Sequence, residues 1–124
     1  MKKIILLTAC ITFTFLSFTS NNEVDATVAI DDSSIQKGKK LFNSKTCNAC
    51  HQEQIKVVGP SLKDIAAKYK AKKGNIVNFL KGKSKAIVDT NPGQVAIMQA
   101  SLAITKSMSK ADLEAISKYI LSIK

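Results

Sequence analysis

Residues 47–51 read Cys47-Asn48-Ala49-Cys50-His51, and this pentapeptide holds two of the chain's three cysteines and its only histidine. C-x-x-C-H is the signature of covalent haem attachment. Thiols three residues apart on a helical turn face the same side, where each can add to one vinyl group of a haem. The adjacent imidazole then lies beneath the iron. The pentapeptide therefore predicts one covalently attached haem c, with Cys47 and Cys50 as thioether links and His51 as an iron ligand.

Three other chemistries of this pentapeptide are less well supported. A closed structural zinc site needs four ligands, and residues 27–124 offer only the three of this pentapeptide. Thiol–disulfide exchange usually occupies the start of a helix in a βαβ framework, and no strand pattern is visible here. A structural disulfide between Cys47 and Cys50 would close a very small loop and stabilise little.

The amino terminus has the pattern of an export signal. Two lysines precede a short apolar run, and a small residue, Ala26, suits cleavage. We expect a signal peptide over 1–26, a linker over 27–33 and one folded domain over 34–124, located in the periplasm or otherwise outside the cytoplasmic membrane. The residues before Cys10 resemble a lipobox, so a lipid at Cys10 or an uncleaved leader is an alternative that would tether the domain to the membrane.

The charge of the chain favours an acidic partner. The formal net charge is +10, and all 19 cationic side chains are lysines. Removing residues 1–26 takes away two lysines and two acids and leaves this charge unchanged. Without arginine or an interleaved aromatic surface, nucleic-acid binding is not indicated. We expect a monomer, with few aromatic side chains in a core that a haem would complete.

The pattern of apolar residues indicates an all-α domain, because no segment alternates in the manner of a strand. A long final helix follows the capping residue Ser109, and a stretch over 83–107 has no helical pattern and contains a turn at Asn91-Pro92-Gly93. The other predicted helices cover 34–43, 62–73 and a short segment that Asn75 caps and Gly82 closes.

The chain resembles a class I c-type cytochrome over residues 33–123. In that family an amino-terminal helix with a glycine and an aromatic residue crosses a carboxy-terminal helix with an aromatic residue. The matching positions are Gly38, Phe42 and Tyr119. Glycine allows two helix backbones to approach closely. The resemblance implies the cytochrome c fold, with about four to five helices around one haem.

The resemblance also implies roles for residues outside the pentapeptide. Gly59-Pro60 matches the family's Gly-Pro pair, whose proline carbonyl accepts a hydrogen bond from the ligand histidine. A methionine from the loop before the last helix would be the second axial ligand. Met98 is favoured, because Met108 directly precedes the N-cap of the final helix and is explained by packing there. Many relatives place a proline beside this methionine, whereas Met98 is followed by Gln99.

An iron held by histidine and methionine suits outer-sphere electron transfer. The resemblance implies an electron carrier rather than an enzyme, working between a quinol-oxidising complex and a terminal oxidase or reductase. The alternative is a haem protein with an open iron position that binds a gas or acts like a peroxidase, although no second histidine or arginine could serve as a distal acid. Eight lysines are expected near the haem opening and could dock an acidic partner: Lys37, Lys39, Lys40, Lys45, Lys56, Lys81, Lys83 and Lys85.

Overall fold

The computed structural model describes residues 26–124, and within the first helix it describes side chains from Asp31 onward. This part of the chain is helical, and its only β-type pairing is an isolated bridge between His51 and Lys56. The all-α prediction is therefore confirmed. The helices are α1 (Ala26–Ser44), a 3-10 turn (Cys47–Ala49), α2 (Leu62–Ala71), α3 (Ile76–Leu80), α4 (Pro92–Ser101), α5 (Ala103–Lys106) and α6 (Lys110–Ser122).

Helices α1 and α6 cross at a glycine. A Cβ placed on Gly38 would overlap the backbone carbonyl of Ala115 and lie 2.9 Å from the Cβ of Tyr119. Next to this crossing, the rings of Phe42 and Tyr119 meet edge to face with their centroids 5.5 Å apart. Such aromatic pairs add specificity to the area that they bury. The predicted contact between the first and last helices is present.

Hydrogen-bonding side chains begin three helices where the sequence predicts them. Ser61 Oγ accepts from Asp64 N at 3.1 Å before α2. The same interaction joins Ser109 to Asp112 before α6, and Asn75 caps α3 in the same way. Each bond satisfies a backbone N–H that has no partner within the helix. Gly82 follows α3 with a φ of 72°, a conformation that favours glycine.

The first helix begins earlier than predicted. Residues 27–33, which the sequence analysis assigned to a linker, lie in α1. The segment 31–34 consists of aspartates and serines, which favour helix N-caps but are also tolerated inside a helix. Within α1, Asp31 makes an ion pair with Lys118 of α6 at 3.1 Å. The predicted leader and Cys10 lie outside the described residues, apart from Ala26.

The prediction of an irregular stretch over 83–107 holds for 83–91 and is wrong from Pro92 onward. This stretch contains α4 and α5, which raises the number of α-helices in the described part of the chain to six rather than the expected four to five. Asn91 Oδ1 accepts from the backbone N–H groups of Gly93 and Gln94 at 3.0 and 3.3 Å. Pro92 occupies the first turn of α4, where its missing N–H has no cost. The apparent turn is therefore a helix start.

The core lies between α6 and the helices packed on it. Its fully buried large side chains include Leu62, Leu102, Leu113 and Ile116. Helix α4 differs from the others, because it has no buried residue. Among the described residues, no helix is both long enough and apolar enough to cross a bilayer.

Candidate functional site

A cavity of about 280 Å³ lies beside the pentapeptide. Its lining comes from all six α-helices, from residues 45 and 46, from the pentapeptide and from the segments 58–60 and 86–89. The side chains around it are mostly apolar, and they come from almost every element of the fold. Such a cavity suits one large apolar ligand with a few polar contacts.

The pentapeptide contributes both cysteines and the histidine to this cavity. Cys47–Ala49 form the 3-10 turn, and the backbone N–H groups of Cys50 and His51 both donate to Cys47 O, at 3.2 and 3.0 Å. Both cysteines are half-buried free thiols. Burial raises the pKa of the Cys47 thiol, so this group is neutral near pH 7. Within residues 26–124, no group of three or more histidine, cysteine, aspartate or glutamate side chains could hold a metal ion.

Two backbone features fix the ring of His51. Its Nδ1 lies 2.8 Å from the carbonyl oxygen of Pro60, the contact that the resemblance implied. A Cβ on Gly59 would lie 2.8 Å from Nδ1 and 2.9 Å from Nε2, so the ring lies directly on the glycine backbone. The N–H of Gly59 donates to Cys50 O at 2.9 Å and holds the glycine in place. With Nδ1 as the donor to Pro60, Nε2 is the unprotonated nitrogen and can bind a metal.

The two candidate methionines lie in different environments. Met98, on α4, is half-buried and lines the cavity together with His51. Met108 is 8% exposed and belongs to the core cluster; it is not among the residues that line the cavity. It directly precedes Ser109, the N-cap of α6. The packing role predicted for Met108 is consistent with this position.

Several apolar side chains around the cavity are exposed. Val58, Ile97 and Ile104 line it with exposures of 42, 51 and 44%. Helix α4 has no buried residue although its mean composition is apolar, and its side chains Val95 and Met98 point to the same space. A large flat apolar group in the cavity would cover this surface, so the lining fits a porphyrin.

The polar side chains at the cavity that were not predicted include Thr105 and Asp89. Thr105 is 4% exposed, and its hydroxyl donates to the carbonyl of Leu80 at 2.7 Å. Asp89 accepts a hydrogen bond from Asn91 N at 3.0 Å and pairs with Lys56 at 3.3 Å. The backbone N–H of Asn91, and secondarily the Lys56 ammonium, lower the pKa of Asp89. Nothing in the sequence marks Thr105, whereas the Asp-Thr-Asn order is a recognisable Asx-type turn.

The lysines expected near the haem opening are not equivalent. Lys37 pairs with Asp112 at 2.7 Å, Lys39 with Glu53 at 3.2 Å, and Lys56 with Asp89. The Lys81 ammonium donates to the backbone carbonyls of Lys106 and Met108. Of the eight residues, Lys45 lines the cavity. The hydrogen bonds from Tyr119 and then Lys39 lower the pKa of Glu53.

A lysine cluster that the sequence analysis did not single out lies at the carboxyl end of α2. Lys68, Lys70, Lys72 and Lys73 are all exposed, and none of them makes an ion pair with another described residue. Tyr69, between the first two, is buried and lines the cavity. The cluster therefore lies next to the site and carries four positive charges without an ion pair among the described residues.

In the described part of the chain, the C-x-x-C-H turn, a histidine on a proline carbonyl and a half-buried methionine line one apolar cavity, and these residues fit a covalently attached haem. The family model for cytochrome c matches residues 35–124, and the chain belongs to this family as a small class I c-type cytochrome. Over 89 residues it is 39% identical to cytochrome c-552 of Nitrosomonas europaea, covering 72% of this chain and 81% of that protein.

Two further relatives span most of their own length. Cytochrome c-551 of Azotobacter vinelandii is 32% identical over 89 residues, which are 72% of this chain and all of that protein. Cytochrome c-552 of Hydrogenobacter thermophilus is 31% identical over 86 residues, covering 69% of this chain and 81% of that protein. The prediction of one covalently bound haem c is confirmed by this membership, and Cys47 and Cys50 fit the attachment motif.

Proposed function

We propose that this protein is an electron carrier whose single haem c is linked to Cys47 and Cys50 and held between His51 and Met98. The observation that carries the proposal is that these four side chains, from two distant parts of the chain, line one apolar cavity. The cytochrome names of the relatives support the carrier role. We also propose that residues 1–26 direct export and that the domain works outside the cytoplasmic membrane.

The haem supplies a one-electron couple, and the protein supplies its surroundings. The Pro60 carbonyl keeps the proton on Nδ1 of His51, so Nε2 would be free to bind the iron without a tautomer change. The thioether of Met98 is neutral and soft, so as a ligand it would favour the reduced iron and raise the potential. The apolar lining excludes water and limits the reorganisation that each change of charge requires. No side chain in the cavity has to gain or lose a proton.

The axial assignment is tested with two matched variants, Met98→Ala and Met108→Ala. The first should abolish the sulfur-to-iron charge-transfer band of the ferric protein and let the ferrous protein bind carbon monoxide rapidly. The second should keep the band and lose stability, by about 2–4 kcal/mol, because Met108 is buried in the core. A retained band in Met98→Ala would refute the assignment, and loss of the band only in Met108→Ala would transfer it to Met108.

We propose that the partners are acidic redox proteins, namely a quinol-oxidising complex and a terminal oxidase or reductase, and that they dock on the lysine cluster of α2. The ion pairs of Lys37, Lys39 and Lys56 reduce the field of those lysines, whereas the α2 cluster has no such compensation. A single-sign surface beside the site steers an anionic partner to it. We therefore favour the α2 cluster over Lys37, Lys39 and Lys56 as the docking surface.

The docking surface is tested by charge reversal with ferricyanide as an anionic oxidant of the reduced protein. Lys68→Glu/Lys72→Glu should slow the oxidation and flatten its dependence on ionic strength. Lys110→Glu/Lys118→Glu is the matched control, since it changes the net charge equally on α6. The α2 double variant should be slower by about tenfold relative to this control at low salt. Equal rates for the two double variants would contradict docking on α2.

A further inference from the structure

Helix α4, which carries Met98, is attached to the rest of the protein mainly through its ends. It has no buried residue of its own, and its inward side chains border the cavity rather than the core. At its amino end it is capped by Asn91. At its carboxyl end it runs into Leu102, which is fully buried. The position of Met98 therefore depends on how these two ends are fixed.

The carboxyl end is connected to Met98 by a continuous set of backbone hydrogen bonds. Leu102 N donates to Met98 O at 3.1 Å, and Leu102 O accepts from Thr105 N and Lys106 N at 3.0 and 2.9 Å. Helix α5 is only four residues long, so it cannot shift without moving Leu102. Leu102 therefore joins the backbone of α5 to the backbone of Met98.

Three hydrogen bonds join the end of α3 and Lys81, which follows it, to α5 and the turn after it, and we call them the α3–α5 latch. The buried hydroxyl of Thr105 donates to Leu80 O at 2.7 Å. The Lys81 ammonium donates to Lys106 O at 3.1 Å and to Met108 O. The carbonyls of Lys106 and Met108 lie at the end of α5 and in the turn before α6, where helix carbonyls have no partner and a cation is favourable.

We propose that Thr105 is a positioning residue for the second axial ligand: through the latch, its hydroxyl holds α4 so that the Met98 sulfur stays on the iron. This inference rests on the proposed ligation by Met98. Without the hydroxyl, the Leu80 carbonyl loses a buried hydrogen-bond donor. The position of α4 and α5 seen in the structure then loses free energy of stabilisation relative to positions in which Met98 is displaced. Latch strength then sets how often the iron is open to an external ligand.

The test uses the ferric holoprotein and cyanide, which binds only when the sulfur has left the iron. Thr105→Val keeps the shape and removes the hydroxyl, and it should raise the cyanide association rate by about tenfold. Thr105→Ser should restore a rate close to that of the unaltered protein. Lys81→Met weakens the latch at a half-buried position, so it should also raise the rate even if Thr105→Val folds poorly.

Ala115→Gly is the matched control. It destabilises α6 at the crossing with α1, away from the cavity, and should leave the cyanide rate unchanged while lowering the unfolding midpoint. If Thr105→Val and Lys81→Met bind cyanide at the rate of the unaltered protein, the latch does not position Met98. The same conclusion holds if Ala115→Gly raises the rate as much as these two variants do. In the same series, loss of the charge-transfer band in Met98→Ala would show that Met98 is the ligand even if the latch does not position it.

Discussion

The contact between Gly59 and the ring of His51 makes a quantitative prediction. In Gly59→Ala, the new Cβ would overlap Cε1 of the His51 ring and lie 2.8 Å from Nδ1, whereas ordinary contact begins at 3.4 Å, so the ring must move by about 1 Å. A shift of this size can stretch the 2.8 Å hydrogen bond to Pro60 O beyond the usual range. Overpacking costs about 1–3 kcal/mol and the weakened bond about 1 kcal/mol, which together give about 2–4 kcal/mol.

The measurement is guanidinium unfolding of the holoprotein, followed by far-ultraviolet circular dichroism and by the visible spectrum. Gly93→Ala is the control, because its Cβ would meet only the Asn91 side chain, at 3.3 Å. That variant should stay within about 0.5 kcal/mol of the unaltered protein. If the free energy of unfolding of Gly59→Ala is also within about 0.5 kcal/mol of the unaltered protein, and its axial-ligand spectrum is the same, the Gly59 backbone does not hold the His51 ring.

Three further predictions concern the fold. Gly38→Ala places a Cβ into the backbone carbonyl of Ala115 and should cost about 3 kcal/mol; an unchanged unfolding midpoint would contradict the α1–α6 crossing. Asn91→Ala removes the cap of α4 and should cost about 1 kcal/mol with faster amide exchange in that helix, and unchanged exchange would count against it. Burial raises the pKa of Tyr69 and Tyr119 to about 12. The folded pKa lies above the unfolded value near 10, so the contribution of the two neutral rings to the free energy of unfolding is fully present below pH 10 and decreases as pH rises towards 12. Carbon-13 resonances of the rings that titrate near 10 would contradict this expectation.

Residues with a local chemical signature were predictable from the sequence. Ser61 and Ser109 each stand three residues before an aspartate that completes the cap, and the structure begins α2 and α6 at these residues. Cys47, Cys50 and His51 are adjacent in sequence, so their arrangement requires only one turn of helix. Pro60 was placed through the family resemblance, and the 2.8 Å contact with His51 matches it.

The failures occurred where tertiary context decides the structure. Helix α4 does not show an apolar stripe aimed at a protein core, because its inward face borders the cavity, and a Pro-Gly pair at a helix start is locally similar to a turn. The charges of Lys37 and Lys39 are compensated by Asp112 and Glu53, which are 75 and 14 positions away in the sequence. Neither ion pair leaves a periodic pattern in the sequence from which it could be predicted. Thr105 was missed for the same reason, since its acceptor lies on α3.

Covalent bonds between the haem and the two cysteines are tested by extracting the purified protein with acidified acetone. We expect the red colour to stay with the protein, and Cys47→Ala/Cys50→Ala to release it into the solvent. If the unaltered protein is folded and colourless, or if all of its haem is extracted, the haem is not bonded to Cys47 and Cys50.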